Sequence, residues 1–203
     1  MSETYGMPVS MLLLILYILL DVNYFIRCAF TVLTLRLFQS KHSVLDTTTI
    51  YGICTPQDVD IFLRHMNNAR FLRELNFASV HYYMLTNLYD LVRERGGTIV
   101  QGATSLRYRR FISIFQPYKI QTKLIWWDER AIYLEQQFVT LTDGFVNAIA
   151  LSKHRFTECN VFELLEAFPE VTFRPDLPKE LMHWLESIEE SSQKLNPDNF
   201  VYA

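Results

Sequence analysis

The sequence predicts an α+β fold in which an antiparallel sheet wraps one long central helix, carried behind an N-terminal membrane helix. Three observations predict it. The run from Met11 to Leu20 is unbroken apolar sequence. A segment from about Asn68 to Arg95 carries apolar residues at helical spacing on two stripes, so it is buried on most sides. One strand-like run precedes that segment and four follow it, with no other long helix between them.

Composition fits one domain with an anchor. Half of the 203 residues are hydrophobic, enough for a sizeable core. The net charge of −3 gives no support to nucleic-acid binding. Cys28, Cys54 and Cys159 are odd in number and widely spaced, so neither a metal site, a resident cofactor nor a disulfide framework is expected. The chain has no Asn-x-Ser/Thr acceptor, which weighs against a long stay in the secretory lumen.

Residues 1–43 read as a membrane anchor and an amphipathic connector. Met7 to Ile26 is long enough to span if Asp21 and Asn23 sit near an interface. Val22, Phe25, Ile26, Ala29, Phe30, Leu33 and Leu37 then recur at helical spacing, as in a helix lying along a membrane surface. A cleaved signal peptide is the rival, but it calls for a positive start and a small-residue cleavage site. Met1 to Gly6 holds Glu3 and no Lys or Arg. Positive charge instead follows the apolar run, at Arg27, Arg36 and Lys41, which places the C-terminal side in the cytosol. The expected location is a membrane, that of the endoplasmic reticulum, with the domain facing the cytosol; the alternative is secretion after signal-peptide cleavage.

Residues 44–158 carry the globular pattern. Thr47–Thr55 is β-branched and strand-like. The long helix follows from about Asn68 and stops at Gly96-Gly97. Its stripes are Phe71, Leu75, Ala78, Tyr82, Leu85, Tyr89 and Phe77, Val80, Met84, Leu88, Leu91. Thr98–Arg110 alternates, with Val100, Gly102, Thr104, Leu106 and Tyr108 on one face. Tyr118–Trp127 and Ala131–Leu141 come next, separated by Asp128-Glu-Arg130. Trp126 and Trp127 point to opposite faces of their strand. Asp143-Gly144 signals a hairpin before Gly144–Phe156, whose apolar core suits a central strand. Residues 159–203 form a C-terminal extension with two short amphipathic helices, Val161–Phe168 and Lys179–Ser191.

The stretch Asp58 to Leu75 holds the chemistry. Asn67 or Asn68 can cap the long helix, and a capped helix start offers N–H donors and partial positive charge. Asp58 or Asp60 can supply a base or nucleophile at the same place. His65 reads either as a participant or as a hydrogen-bonded structural residue. Arg107, Arg109 and Arg110 read either as a phosphate-binding cluster or as a solvated strand end. Cys54 has no base at recognisable spacing and reads as a packed thiol.

With His65-Met-Asn-Asn-Ala-Arg-Phe-Leu72 at the helix entrance, the order strand, loop, buried helix, meander resembles the hot-dog fold of the 4-hydroxybenzoyl-CoA thioesterase type. More narrowly, the chain is similar to the thioesterase superfamily member six family. Leu20-Asp-Val, Leu106-Arg-Tyr-Arg-Arg110, Trp127-Asp-Glu-Arg130 and Asp143-Gly-Phe-Val146 carry that likeness. The resemblance implies acyl-thioester chemistry in a homodimer, with a pocket between protomers at the start of the central helix. It implies Asp60 as nucleophile or base, and the amides after His65, with Asn67 and Asn68, as the group that polarises a thioester carbonyl. It also implies a coenzyme A thioester as substrate, with Arg107, Arg109 and Arg110 at its phosphates. Two features depart from the family pattern: five positions rather than four separate Asp60 from His65, and Arg64 stands where glycine is usual. An acyl-CoA thioesterase at the membrane surface is therefore one expectation. A catalytically inactive module that binds acyl chains or proteins in membrane lipid homeostasis is the other.

Overall fold

The computed structural model describes residues 9–19, 22, 25, 26, 29, 31, 33 and 42–195. The chain divides into two units, Met1–Gln39 and Ser40–Ala203. In the first, helix α1 spans Val9–Leu19. Eleven helical residues rise only about 16 Å, roughly half the hydrocarbon thickness. Among the described residues no helix is long and apolar enough to cross a membrane. Asp21, Asn23, Arg27, Arg36 and the connector to Lys41 lie outside the described residues.

The second unit is a five-stranded antiparallel sheet against a helix. The strands are β1 (Thr48–Ile53), β2 (Thr98–Tyr108), β3 (Pro117–Trp127), β4 (Ala131–Thr140) and β5 (Val146–Thr157). Their order across the sheet is β1-β3-β4-β5-β2, so β1 and β2 are its edges. Ile50 pairs with Ile120, Leu124 with Leu134, and Leu134 with Ser152. The central helix α2 (Asn68–Leu85) packs Phe71, Leu75, Ala78 and Tyr82 into this sheet. Phe71, Leu75 and Ala78 join Ile120, Phe138 and Ala148 in one cluster; Tyr82 joins Leu124, Leu134 and Phe156 in another.

A buried polar bridge fixes where α2 sits. Gln136 of β4 is fully buried, and its amide nitrogen donates to the Leu75 carbonyl at 3.1 Å and to Ser79 Oγ at 3.3 Å. Ser152 of β5 donates to Gln136 Oε1 at 3.1 Å. The bridge thus ties two strands to one turn of helix. Leaving any of these groups unpaired in the core would cost about 1–3 kcal/mol. Nearer the helix start, the buried Glu74 accepts a hydrogen bond from Tyr118 Oη at 3.0 Å. Tyr118 crosses β1 at Gly52, where a Cβ would lie 2.6 Å from the tyrosine ring.

Three details differ from the sequence reading. The helix expected over Asn68–Arg95 breaks into α2 and a short α3 (Leu88–Glu94). Thr86 bonds back to the Tyr82 carbonyl, and Asn87 then turns left-handed at φ +61, a conformation asparagine tolerates better than most residues. The second predicted stripe fails at Val80, and Tyr89 leaves the first; both are exposed. In β2 the register shifts between Gln101 and Ala103, so Gly102 sits in a bulge. Ile99 and Leu106 therefore both pack on the core, while Val100, expected on the same face as Leu106, is exposed.

The C-terminal extension packs on the part of the outer sheet face around Trp126 and Tyr133. Helix α4 (Val161–Leu165) closes one end of the core. Helix α5 (Lys179–Lys194) lays Leu181, Trp184 and Leu185 against Trp126 and Tyr133. Trp127 packs in the inner core, so the two tryptophans do point to opposite faces.

Two buried histidines make stability depend on pH. Burial lowers His81 and His154 from the ordinary 6.5 to about 4, and the nearby His42 adds to the effect at His81. Both rings are therefore neutral in the folded chain near pH 7. As pH falls through 6.5, the unfolded chain takes up these protons first. Their stabilisation is present above that pH and is lost progressively towards pH 4. Urea midpoints measured across this window should fall steadily, whereas a flat profile would mean that the rings are solvated.

Candidate active site

A small turn brings the acid and the imidazole together. Val59 and Met66 form an isolated antiparallel bridge, and the Asp60 N–H donates to the His65 carbonyl at 3.0 Å. Between them, the Leu63 N–H donates to the Asp60 carbonyl at 3.0 Å, and the Arg64 N–H donates to Asp60 Oδ1 at 3.2 Å. Leu63 is left-handed at φ +54, which closes the turn. Asp60 and His65 thus face each other across it, with Asp60 Oδ2 at 3.7 Å from His65 Nε2. The five-position spacing is the length of this closed turn.

Asp58 has a different job. It is buried, and its Oδ2 accepts from the Thr55 N–H at 2.9 Å and the Thr55 hydroxyl at 2.6 Å. Arg70 Nε stands 3.9 Å from its other oxygen and Arg70 also donates to the Gln57 carbonyl. Of the two acids left open by sequence, Asp60 is the one beside His65, and its side chain is part-exposed.

The start of α2 lies directly after the turn. Asn67 is the N-cap, and its Oδ1 accepts from the Ala69 N–H at 2.9 Å. The Met66 N–H goes to the Ile112 carbonyl, and the Asn67 N–H to the Asp58 carbonyl. These two amides, expected from sequence to polarise a carbonyl, are therefore used inside the fold. The donors left at the helix start are the Asn68 N–H and the side-chain amides of Asn67 and Asn68. Tyr108 Oη donates to the Asn68 carbonyl at 3.0 Å, and its ring packs edge-on against Phe71.

The arginines divide. Arg110 is paired with Asp143 Oδ2 at 2.7 Å and also bonds Thr140 Oγ1. Hydrogen bonds from Thr140 and the Phe145 N–H, together with Arg110, hold Asp143 down at about 2. Arg109 donates to the Val146 carbonyl and lies 4.9 Å from the centre of the Phe145 ring. Arg107 is exposed on β2. Among the described residues no group of three or more His, Cys, Asp or Glu is placed to hold a metal ion.

Cys54 is fully buried; burial first, then Asp58 and Glu74, raises its thiol to about 11. At neutral pH that favours the protonated thiol over the nucleophilic thiolate. Glu74 and Tyr118 were not singled out from sequence. The signal was present for Glu74, since it falls between Phe71 and Leu75 on the buried stripe.

A family model described as the thioesterase-like superfamily matches residues 54–185. Protein THEM6 of Drosophila melanogaster is 67% identical over 186 residues, covering 92% of this chain and 96% of the relative. Protein THEM6 of Xenopus laevis is 34% identical over 187 residues, covering 92% and 90%. Among solved structures, a 1,4-dihydroxy-2-naphthoyl-CoA thioesterase from Synechocystis superposes with a TM-score of 0.50 at 12% identity, covering 72% of this chain and 98% of that one. The likeness to that structure is one of fold, the hot-dog fold.

The two acids should separate in a stability measurement. Asp58→Ala strips the buried acceptor from Thr55 and from Arg70, and should cost about 1–3 kcal/mol. Asp60→Ala removes two partly exposed turn contacts, to the Arg64 N–H and to His65, and should cost less than about 1 kcal/mol. Urea denaturation of both variants checks the order; equal losses would show that Asp60 also has a mainly structural role.

Proposed function

The chain belongs to the thioesterase-like superfamily and, within it, to the THEM6 family, and on that footing we propose that it hydrolyses acyl thioesters of coenzyme A at a membrane surface. The approach of Asp60 Oδ2 to His65 Nε2 beside the N-cap of α2 is the observation that carries this reading. Asp60 acts as base for water, or as nucleophile, at the thioester carbonyl. The Asn68 N–H, the side-chain amides of Asn67 and Asn68 and the positive end of α2 face the oxyanion that forms. With Asp60 as base, the carbon–sulfur bond then breaks, and the proton taken from water passes to the leaving sulfur by way of Asp60 or His65. With Asp60 as nucleophile, the carbon–sulfur bond breaks as a mixed anhydride forms on Asp60. Water then hydrolyses that anhydride, releasing the acid, restoring the carboxylate and supplying the proton that the thiolate takes up. Arg107 and Arg109 meet the coenzyme A phosphates, while Arg110 holds the hairpin beside them through Asp143.

The working form in this reading is a homodimer. An open row on α2, with Leu72 and Val80 each more than 40% exposed, supports it, as does the unpaired edge of β2 with Val100. The N-terminal apolar segment is the anchor, and Arg27, Arg36 and Lys41 keep the domain on the cytosolic side, at the endoplasmic reticulum. A second reading is a binding module without turnover. It is favoured by Asp60 Oδ1, which accepts the Arg64 N–H and so ties half of the carboxylate to the turn.

Thiol release across acyl-CoA chain lengths tests the chemistry. Asp60→Asn should lower kcat by about 100-fold or more and leave the melting temperature nearly unchanged. If wild type releases no thiol from any acyl-CoA yet binds acyl chains, the binding reading replaces the enzymatic one. Light scattering should give a dimer that Leu72→Glu with Val80→Glu converts to monomer. Alkaline carbonate should fail to extract the chain from membranes, and protease added outside sealed vesicles should digest the domain.

A further inference from the structure

The end of the domain that holds Asp60 and His65 also carries two largely exposed apolar tips, the second of which rests one ring, Phe111, 5.6 Å from the centre of the His65 ring. The first is Ile61-Phe62-Leu63, exposed by 87%, 71% and 66%. The second is formed by Phe111 and Phe115, exposed by 62% and 63%. The tips are fastened to each other. The Ile114 N–H donates to the Arg64 carbonyl, the Met66 N–H to the Ile112 carbonyl, and His65 bridges to Ser113. The Phe115 N–H in turn donates to the Cys54 carbonyl at the end of β1. Each tip holds a bulky apolar residue in the left-handed region, Leu63 at φ +54 and Phe115 at φ +62. A conformation that disfavours such side chains is thus used twice to keep them pointing outward.

We propose that these two tips insert into the lipid bilayer, so that the acid–imidazole end of the domain rests on the membrane. Charge placement selects lipid as the occupant. Each tip has arginine on one side: Arg64 follows Leu63, and Arg109-Arg110 precedes Phe111, with Arg110 already paired to Asp143. Asp60, which precedes Ile61, is turned back onto the Arg64 N–H and His65. Arg64 and Arg109 are exposed. Apolar side chains flanked by guanidinium groups match acyl chains beneath a layer of phosphates, where arginine keeps its head at the headgroup level. A second copy of the chain, or another protein, would cover the tips without placing them among acyl chains, and the test below separates these occupants. This contact is separate from the N-terminal anchor, because it belongs to the globular unit.

The test uses the full chain in vesicles of phosphatidylcholine and phosphatidylserine. Phe62→Trp and Phe115→Trp are placed at the tips, and Phe173→Trp at an exposed site in the C-terminal link serves as the control. Emission is read as the difference from wild type, with bromine-labelled lipid chains as one quencher and aqueous iodide as the other. Bromolipid should quench both tip tryptophans several-fold and leave Phe173→Trp unchanged. Quenching of the tips by iodide and not by bromolipid overturns the proposal. Protection from both quenchers also overturns it, and assigns the tips to a protein partner. The readout needs no thioester turnover, so its failure is distinguishable from failure of the enzymatic reading.

Discussion

Gln136 is the constraint on which the candidate site depends. A helix packed on a sheet by apolar contacts alone can slide or roll by a fraction of a turn at modest cost. A buried primary amide removes that freedom, because Leu75, Ser79 and Ser152 must all stay within hydrogen-bonding distance of it. Glu74 and Tyr118 add a second fixed point one turn nearer the helix start. With rotation and height set at two levels, the first turn of α2 has one position relative to β1 and to the loop before it. The Asp60–His65 approach inherits that position through the Asn67 N–H bond to the Asp58 carbonyl.

The polar core also explains a division of labour among neighbouring acids. Asp58, Asp60 and Glu74 lie within 17 positions of one another. Asp58 organises the approach to the helix through Thr55, and Glu74 receives Tyr118 over the gap left at Gly52. Only Asp60 has an oxygen turned towards an imidazole and a partly open surface. The charges of the first and third of these acids add to the effect of burial in raising the Cys54 thiol.

Much of this was legible because it rests on local period. Strand alternation, the stripe from Phe71 to Tyr82 and the Asp143-Gly144 hairpin each follow from side-chain spacing within one element. What escaped depends on contacts between elements. The bulge at Gly102 reverses the facing of Val100 because β2 must keep its pairing with β5. The break at Asn87 interrupts a periodic pattern that itself gives no sign of stopping. In the site, sequence put the acid, the histidine and the cap near one another and the family resemblance pointed to Asp60, but the separate bonding of Asp58 to Thr55 and Arg70 was not legible. The committed N–H groups of Met66 and Asn67 were hidden for the same reason: their acceptors, the carbonyls of Ile112 and Asp58, belong to separate loops.

The left-handed Leu63 makes the length of its turn all-or-none. A six-residue turn with one inverted residue is a discrete object, and removing a residue from it does not yield a slightly shorter version. It swaps which side of the chain each flanking residue faces. Taking one residue out would therefore part Asp60 from His65 unless the whole turn were rebuilt, so the five-position and four-position spacings are distinct geometries and not neighbouring lengths of one turn.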